Sequence, residues 1–268
     1  MKGSKIEFGS EGIITADEIK LILDRYRIGK KPLAKLLGWG ETTIIRYMEG
    51  DIPTNEYSNK LRTILDEPEF YYDLLCKRKD CLTGVAYKKS KNAVMTKIMS
   101  SKIYATAYSI VNKCNAEISP AYIQYLLYYA QAFSLALYDR ELFQEECMVN
   151  SEQMPFLKLY ESMKRCGIRA IEDGEGFLSQ EEVDLIDAIM EAFTWYGPKA
   201  LAVMTAYERS MLKISRDKYN NRIIAKDTLK AYFKDIIEHY QIQSLAEITK
   251  YPDQRIMDIK EMNNNFMS

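Results

Sequence analysis

Apolar residues recur along this chain at intervals of three and four for most of its length, a spacing that predicts helices almost throughout. Thr15-Ala16-Asp17-Glu18 reads as an N-cap followed by first-turn acids and opens a helix through Asp24 or Arg27. Leu33, Leu36, Leu37, Ile44 and Ile45 are placed so that two short helices can share one apolar core around Gly38. Thr54, after Pro53, caps a helix carrying Tyr57, Leu61, Ile64 and Leu65, and Pro68 starts another with Phe70, Tyr71, Leu74 and Leu75. Between Thr83 and Ser90 the periodicity fades around Gly84 and the cluster Lys88-Lys89-Ser90-Lys91, which predicts a linker. Met95, Ile98, Met99, Ile103, Ala107 and Ile110 then form a long helical stripe, and Ser119-Pro120 begins a very apolar helix through Leu137. Further helices are expected over Phe156 to Cys166, ended by Gly167, and from the capping-box sequence Ser179-Gln180-Glu181-Glu182 to Trp195. After the Gly197-Pro198 break come Ala200 to Leu212 and Thr228 to His239. The polar tail beyond Tyr251-Pro252, ending in Asn263-Asn264-Asn265, is expected to fray. The expected fold is therefore all-α: a small bundle over residues 1–75, a basic linker over 76–92, a larger mainly helical domain over 93–245, and a tail over 246–268.

Within the first bundle, the run from Lys30 to Tyr47 carries the most specific signal. Ala34 is small enough to let two helices approach, and Gly38 supplies the positive φ that a sharp turn needs. Glu41, Thr42, Thr43 and Arg46 are left facing outward near the start of the second helix. In Leu33-Ala34-Lys35-Leu36-Leu37-Gly38 and Thr43-Ile44-Ile45-Arg46-Tyr47-Met48-Glu49-Gly50 the chain resembles the Cro/repressor (XRE-type) helix-turn-helix, over roughly Ala16 to Leu65. The family often has an acidic residue where Met48 stands; here Glu49 is displaced from it by one. The resemblance implies operator DNA as a partner, with Glu41, Thr42, Thr43 and Arg46 at base edges and Lys30, Lys31, Lys35 and Tyr47 on phosphates. Arg46, whose fork can bond O6 and N7 of guanine together, is the candidate base reader. Repressors of this kind read paired half-sites, so a homodimer on DNA is expected.

Charge is segregated behind a net of −1. Lys77 to Lys113 holds nine basic residues against Asp80, Glu141 to Glu191 is acidic, and Arg209 to Lys234 is basic again, a pattern that suits partners of opposite charge or simply solvated helix faces. The five cysteines are odd in number and scattered, which is no disulfide framework, and a single histidine, His239, leaves no recognisable zinc spacing. No apolar run reaches the length of a membrane span, and Met1-Lys2-Gly3-Ser4-Lys5-Ile6-Glu7 leads into no signal region, so a soluble cytoplasmic protein is expected, with no membrane partner.

The second half carries a further likeness. Ile118-Ser119-Pro120-Ala121-Tyr122-Ile123-Gln124-Tyr125-Leu126-Leu127-Tyr128-Tyr129-Ala130-Gln131-Ala132-Phe133 is similar to the opening of the Panacea domain. Leu135 to Phe143, Leu159-Tyr160-Glu161, Leu178-Ser179-Gln180-Glu181-Glu182, Trp195-Tyr196-Gly197, Leu201, Thr205, Tyr207 and Glu208 follow in order, so the resemblance spans about residues 93 to 240. The chain departs from the family in having Tyr125 where lysine is usual, Asn150 to Pro155 where tryptophan-Gly-Pro-Val is usual, and Thr205-Ala206 for a Thr-His pair.

Panacea domains are antitoxin modules, often fused to an N-terminal helix-turn-helix. The resemblance implies an antitoxin that neutralises a cognate protein toxin by direct binding and autoregulates at its operator. Tyr122, Tyr125 and Tyr129 share a helix face at i, i+3 and i+7, and tyrosine is enriched at interfaces, although a core role serves the same pattern. With Glu145, Glu146, Met148 and Met154 of the following loop they form the candidate toxin-binding set. A prophage-type regulator whose second domain serves oligomerisation or effector sensing is the alternative. Enzyme readings find no phosphate loop and no motif pairing the lone histidine with a nucleophile, so no catalytic residue, cofactor or metal is expected.

Overall fold

The computed structural model describes residues 12–114, 118–166 and 176–266. These are mostly α-helical, with three short strands, and divide into two compact units, Met1–Ile98 and Met99–Ser268.

The first unit holds α1 (Ala16–Arg25), α2 (Lys30–Leu37), α3 (Thr43–Met48), α4 (Asn55–Asp66), α5 (Pro68–Lys77) and most of α6 (Gly84–Met99). Thr15 caps α1 in a full capping box with Glu18, and the Thr54 hydroxyl caps α4. Ile19, Ile22, Leu33, Leu36, Ile44, Leu61 and Ile64 are fully buried and make the core. Tyr26 stacks on Tyr71 at 4.1 Å between ring centres and donates its hydroxyl hydrogen bond to the Ile64 carbonyl at 2.8 Å. The segment expected as a linker is instead helical. In α6 the lysines at 88 and 89 face solvent while Ser90 and Val94 are buried, and the Tyr71 hydroxyl meets the Ser90 hydroxyl at 2.6 Å. A serine on the inward face, held by a tyrosine hydroxyl, is what made the apolar period look interrupted.

The second unit is built around α8 (Pro120–Tyr138), capped by Ser119 with proline at its first position. The stripe expected as one long helix breaks between α6 and α7 (Lys102–Lys113), where Ser101 takes the N-cap position. Around α8 lie α9 (Leu157–Cys166), α10 (Gln180–Phe193), α11 (Pro198–Met211), α12 (Lys226–His239) and α13 (Lys250–Phe266). Ser179 and Glu182 close the expected capping box on α10, whereas the end expected at Gly167 lies outside the described residues. A small antiparallel sheet, unforeseen, joins β1 (Cys147–Met148), β2 (Ser215–Arg216) and β3 (Arg222–Ile224) in the order β1-β3-β2, with Cys147 opposite Ile224 and Ser215 opposite Ile223.

The tail does not fray where expected. Tyr251 and Pro252 are buried, Tyr240 donates to the Asp258 carboxylate at 2.6 Å, and Arg255 bonds the Tyr232 hydroxyl. No helix among the described residues is long and apolar enough to cross a membrane.

Candidate functional site

Two glycines shape the helix-turn-helix. Gly38, at φ +78, ends α2 in a Schellman turn: its own N–H donates to the Lys35 carbonyl at 3.0 Å and the Trp39 N–H to the Ala34 carbonyl at 2.8 Å. A Cβ at this position would also lie 2.7 Å from Arg78 Nη1, so the guanidinium of Arg78 rests over the turn, a contact that no local pattern announces. Gly50, at φ +115, ends α3 in the same way. Ala34 on α2 and Ile44 on α3 are fully buried, which brings the two helices together.

Lys30, Lys31, Lys35, Glu41, Thr42 and Arg46 are exposed, while Thr43 and Tyr47 are half-buried. Tyr47 packs edge-on against Tyr57, which is itself against Trp39 at 4.2 Å. Burial pushes the Tyr47 hydroxyl pKa up. Glu41 does not stand free. Its carboxylate lies 2.9 Å from Lys35 Nζ and 3.9 Å from Lys31 Nζ, and the hydrogen bond from Lys35 holds its pKa below the usual carboxylate range. Two of the three lysines expected on phosphates are thus engaged with an acid of the same surface. Arg46 donates from Nε to Asp51 Oδ2 at 2.7 Å. Replacing Glu41 with glutamine should free Lys31 and Lys35: affinity for any duplex rises, and the slope of log K against log salt steepens by about one to two. Filter binding at several salt concentrations measures it; an unchanged slope shows that these lysines do not meet DNA.

The second candidate set is dispersed. Tyr129 is fully buried, stacked on Phe193 at 4.0 Å, with its hydroxyl donating to Glu208 Oε1 at 2.9 Å; Tyr125 and Met154 are buried as well. These three were expected at a partner interface, and the fold corrects that: Ile123 to Ala136 of α8 are buried without a break, so its tyrosine face is core, and Met154 belongs to the same core. Tyr122 is half-buried, its hydroxyl donating to the Tyr196 carbonyl at 2.8 Å. Glu145 is exposed and Glu146 half-buried, and desolvation raises the pKa of both against the pull of Lys226.

The loop carrying Met148 is knitted down rather than open. Met148 lies in β1, with its N–H bonded to the Pro155 carbonyl at 2.8 Å and its own carbonyl accepting from Arg209 Nη2 at 2.8 Å. Asn150 closes the turn through both sides of its amide to Met154, and Arg209 Nη1 holds the Gln153 carbonyl at 2.8 Å. Gln131 on α8 does similar work for residues 142–143: its Oε1 accepts from Leu142 and Phe143, and its Nε2 donates to the Phe143 carbonyl.

Sequence reasoning missed the polar heart of this unit. Glu208 is completely buried and its carboxylate accepts from Tyr129 and Tyr251; burial pushes its pKa up to about 7 against the pull of those donors and of Arg255. Thr205 and Glu208 stand one turn apart on α11, and residue type at that spacing gives no sign that both are buried. What the second unit does show to solvent is apolar in places: Trp195 is 89% exposed, Val203 57% and Met211 55%. Among the described residues no group of three or more histidine, cysteine or acidic side chains is placed to hold a metal. No family model matches the chain, and no curated protein or solved structure shows significant similarity to it.

Proposed function

We propose that this protein is a cytoplasmic antitoxin: its first unit binds operator DNA as a homodimer, and its second unit neutralises a protein toxin by covering it. The observation that carries the DNA half is the glycine-stopped α2–α3 pair, with Ala34, Leu36 and Ile44 buried and Thr42 and Arg46 turned to solvent. In this reading Thr42, Thr43 and Arg46 meet base edges, Lys30, Lys31 and Lys35 meet phosphates, and Glu41 tempers the lysines.

For the toxin half, support comes from the resemblance of residues 93–240 to antitoxin modules and from large apolar side chains exposed on the second unit. Trp195, Val203 and Met211, together with Glu145, replace the buried tyrosines as the contact candidates. The protein acts by binding alone and requires no cofactor.

Selection of preferred duplexes from a random pool tests the first half. Arg46→Ala should weaken the selected site by about 1–3 kcal/mol, roughly five- to 150-fold, and relax one position. Equal affinity and specificity in that variant would refute the role of Arg46. The antitoxin reading expects a toxin-sized reading frame beside the gene, and co-expression with it tests the second half: rescue of growth, lost in Trp195→Asp, is expected, and the absence of such a frame counts against the reading. Sequence-specific DNA binding with no rescue would instead mark a prophage-type regulator.

A further inference from the structure

The end of α3 is built so that its own stop signal folds back onto its candidate base reader. With Gly50 in the left-handed region, the Asp51 N–H reaches the Arg46 carbonyl at 3.0 Å and the Gly50 N–H reaches the Tyr47 carbonyl at 3.4 Å. This closure leaves the Asp51 side chain beside Arg46, where Oδ2 accepts from Nε at 2.7 Å. Two independent constraints therefore tie the same pair together, one through the backbone and one through the side chains.

The pair is exposed, 66% for the Arg46 side chain and 49% for Asp51, so solvent screens it and it adds little to folding. Its geometric consequence is larger. An arginine can present either its Nε–Nη edge or its Nη1–Nη2 edge to a two-acceptor target. Asp51 occupies the first. Among the described residues neither terminal nitrogen of Arg46 has a hydrogen-bond partner, which leaves the second edge ready. The carboxylate also places a negative charge where a phosphate would otherwise attract the guanidinium, penalising backbone contact relative to base contact.

We infer that Asp51 is a positioning residue that aims the terminal fork of Arg46 at a guanine, so that each operator half-site carries a guanine under α3 and discrimination there depends on Asp51. This inference rests on the DNA-binding reading above. The free energy of holding a long side chain in one orientation is spent before DNA arrives, and the loss of rotamer entropy on binding is correspondingly smaller.

The test uses the full chain, duplex selection from a random pool, and titrations of the selected and a scrambled duplex at two salt concentrations. Wild type should select a guanine at one position of each half-site, and Arg46→Ala should lose that preference. Asp51→Ala should lower the guanine preference by up to about fivefold, less than Arg46→Ala does, while affinity for scrambled duplex rises. Asp51→Asn keeps an acceptor for Nε and should retain most of the preference while sharing the rise in nonspecific affinity, which separates aim from charge. A merely structural Asp51 would lower both affinities together and shift the thermal melt. Guanine preference surviving intact in Asp51→Ala overturns the inference and leaves DNA binding standing. A wild type that selects no duplex removes the DNA-binding reading itself.

Discussion

Replacing Phe133 with alanine should cost the second unit about 3–5 kcal/mol, the range for removing a large buried aromatic side chain. Phe133 is fully buried near the middle of α8. Its ring meets Phe193 of α10 at 6.4 Å, Phe233 of α12 at 5.3 Å and Tyr251 of α13 at 5.9 Å. Those three rings are fixed by one another as well: Tyr251 lies 6.3 Å from Phe193 and 6.0 Å from Phe233. None can swing into the vacated volume without breaking a second aromatic contact, so the cavity persists and the cost falls in the upper part of the range. Small domains are stable by only about 5–15 kcal/mol, so this one change consumes a large share. Urea unfolding of the full chain should show a lowered midpoint with little change in slope, and Phe133→Leu, which keeps most of the volume, should lose under about 1.5 kcal/mol. A loss below about 1 kcal/mol for the alanine variant would mean that α8 is not the organising helix.

The start of that helix was readable because its signals are local. Ser119 accepts from the Tyr122 N–H at 3.2 Å and Pro120 needs no donor at the first position, both consequences of residue type within one turn. The same holds for Thr15, Thr54 and Ser179, and for Gly38, whose positive φ was expected from a turn too sharp for any side chain. What failed was inference about facing. On α8, buried positions from Ile123 to Ala136 run unbroken, so no amphipathic stripe exists from which an interface could be told from a core, and Tyr129 reads the same either way. In α6 the error ran in reverse: Ser90 on the inward face broke the apolar period of a real helix.

Long-range pairings left no trace at all. β1 and β3 are two- and three-residue strands some 75 residues apart in sequence, too short for alternation to register. On the outward surface of α2 and α3, residue type alone shows that most positions are polar. That Lys35 reaches across the turn to Glu41, and Asp51 back to Arg46, depends on the path of the chain through Gly38 and Gly50. Residue type reveals a capacity for charge; only the fold reveals which charges are already engaged.

Glu208 carries the second large prediction, a pH dependence of the second unit's stability that runs opposite to ordinary acid denaturation. The carboxyl sits at the meeting point of four helices, faced by Tyr128 and Tyr129 from α8, Tyr232 from α12, and Tyr251 and Arg255 from α13. Burial raises its pKa from 4.5 to about 7, because desolvation of the ionised form outweighs the tyrosine donors and the Arg255 charge. Below pH 4.5 the group is protonated in both folded and unfolded chains and contributes no penalty. As pH rises toward 7 the unfolded chain releases this proton while the folded one retains it, so unfolding is favoured progressively, by about 3 kcal/mol once both forms are ionised. Glu208→Gln keeps an acceptor for Tyr129 and Tyr251 but cannot ionise. Its stability relative to wild type should therefore improve by up to about that amount between pH 5 and pH 8 in urea titrations. Taking the difference between the two proteins cancels carboxyls elsewhere whose pKa is lowered in the fold, such as Asp139, held at about 2 by Lys230 and Lys234, and those raised, such as Glu145 and Glu146. Parallel stability profiles for the two proteins would show that Glu208 is already ionised in the folded chain at pH 5, with Arg255 rather than desolvation setting its charge.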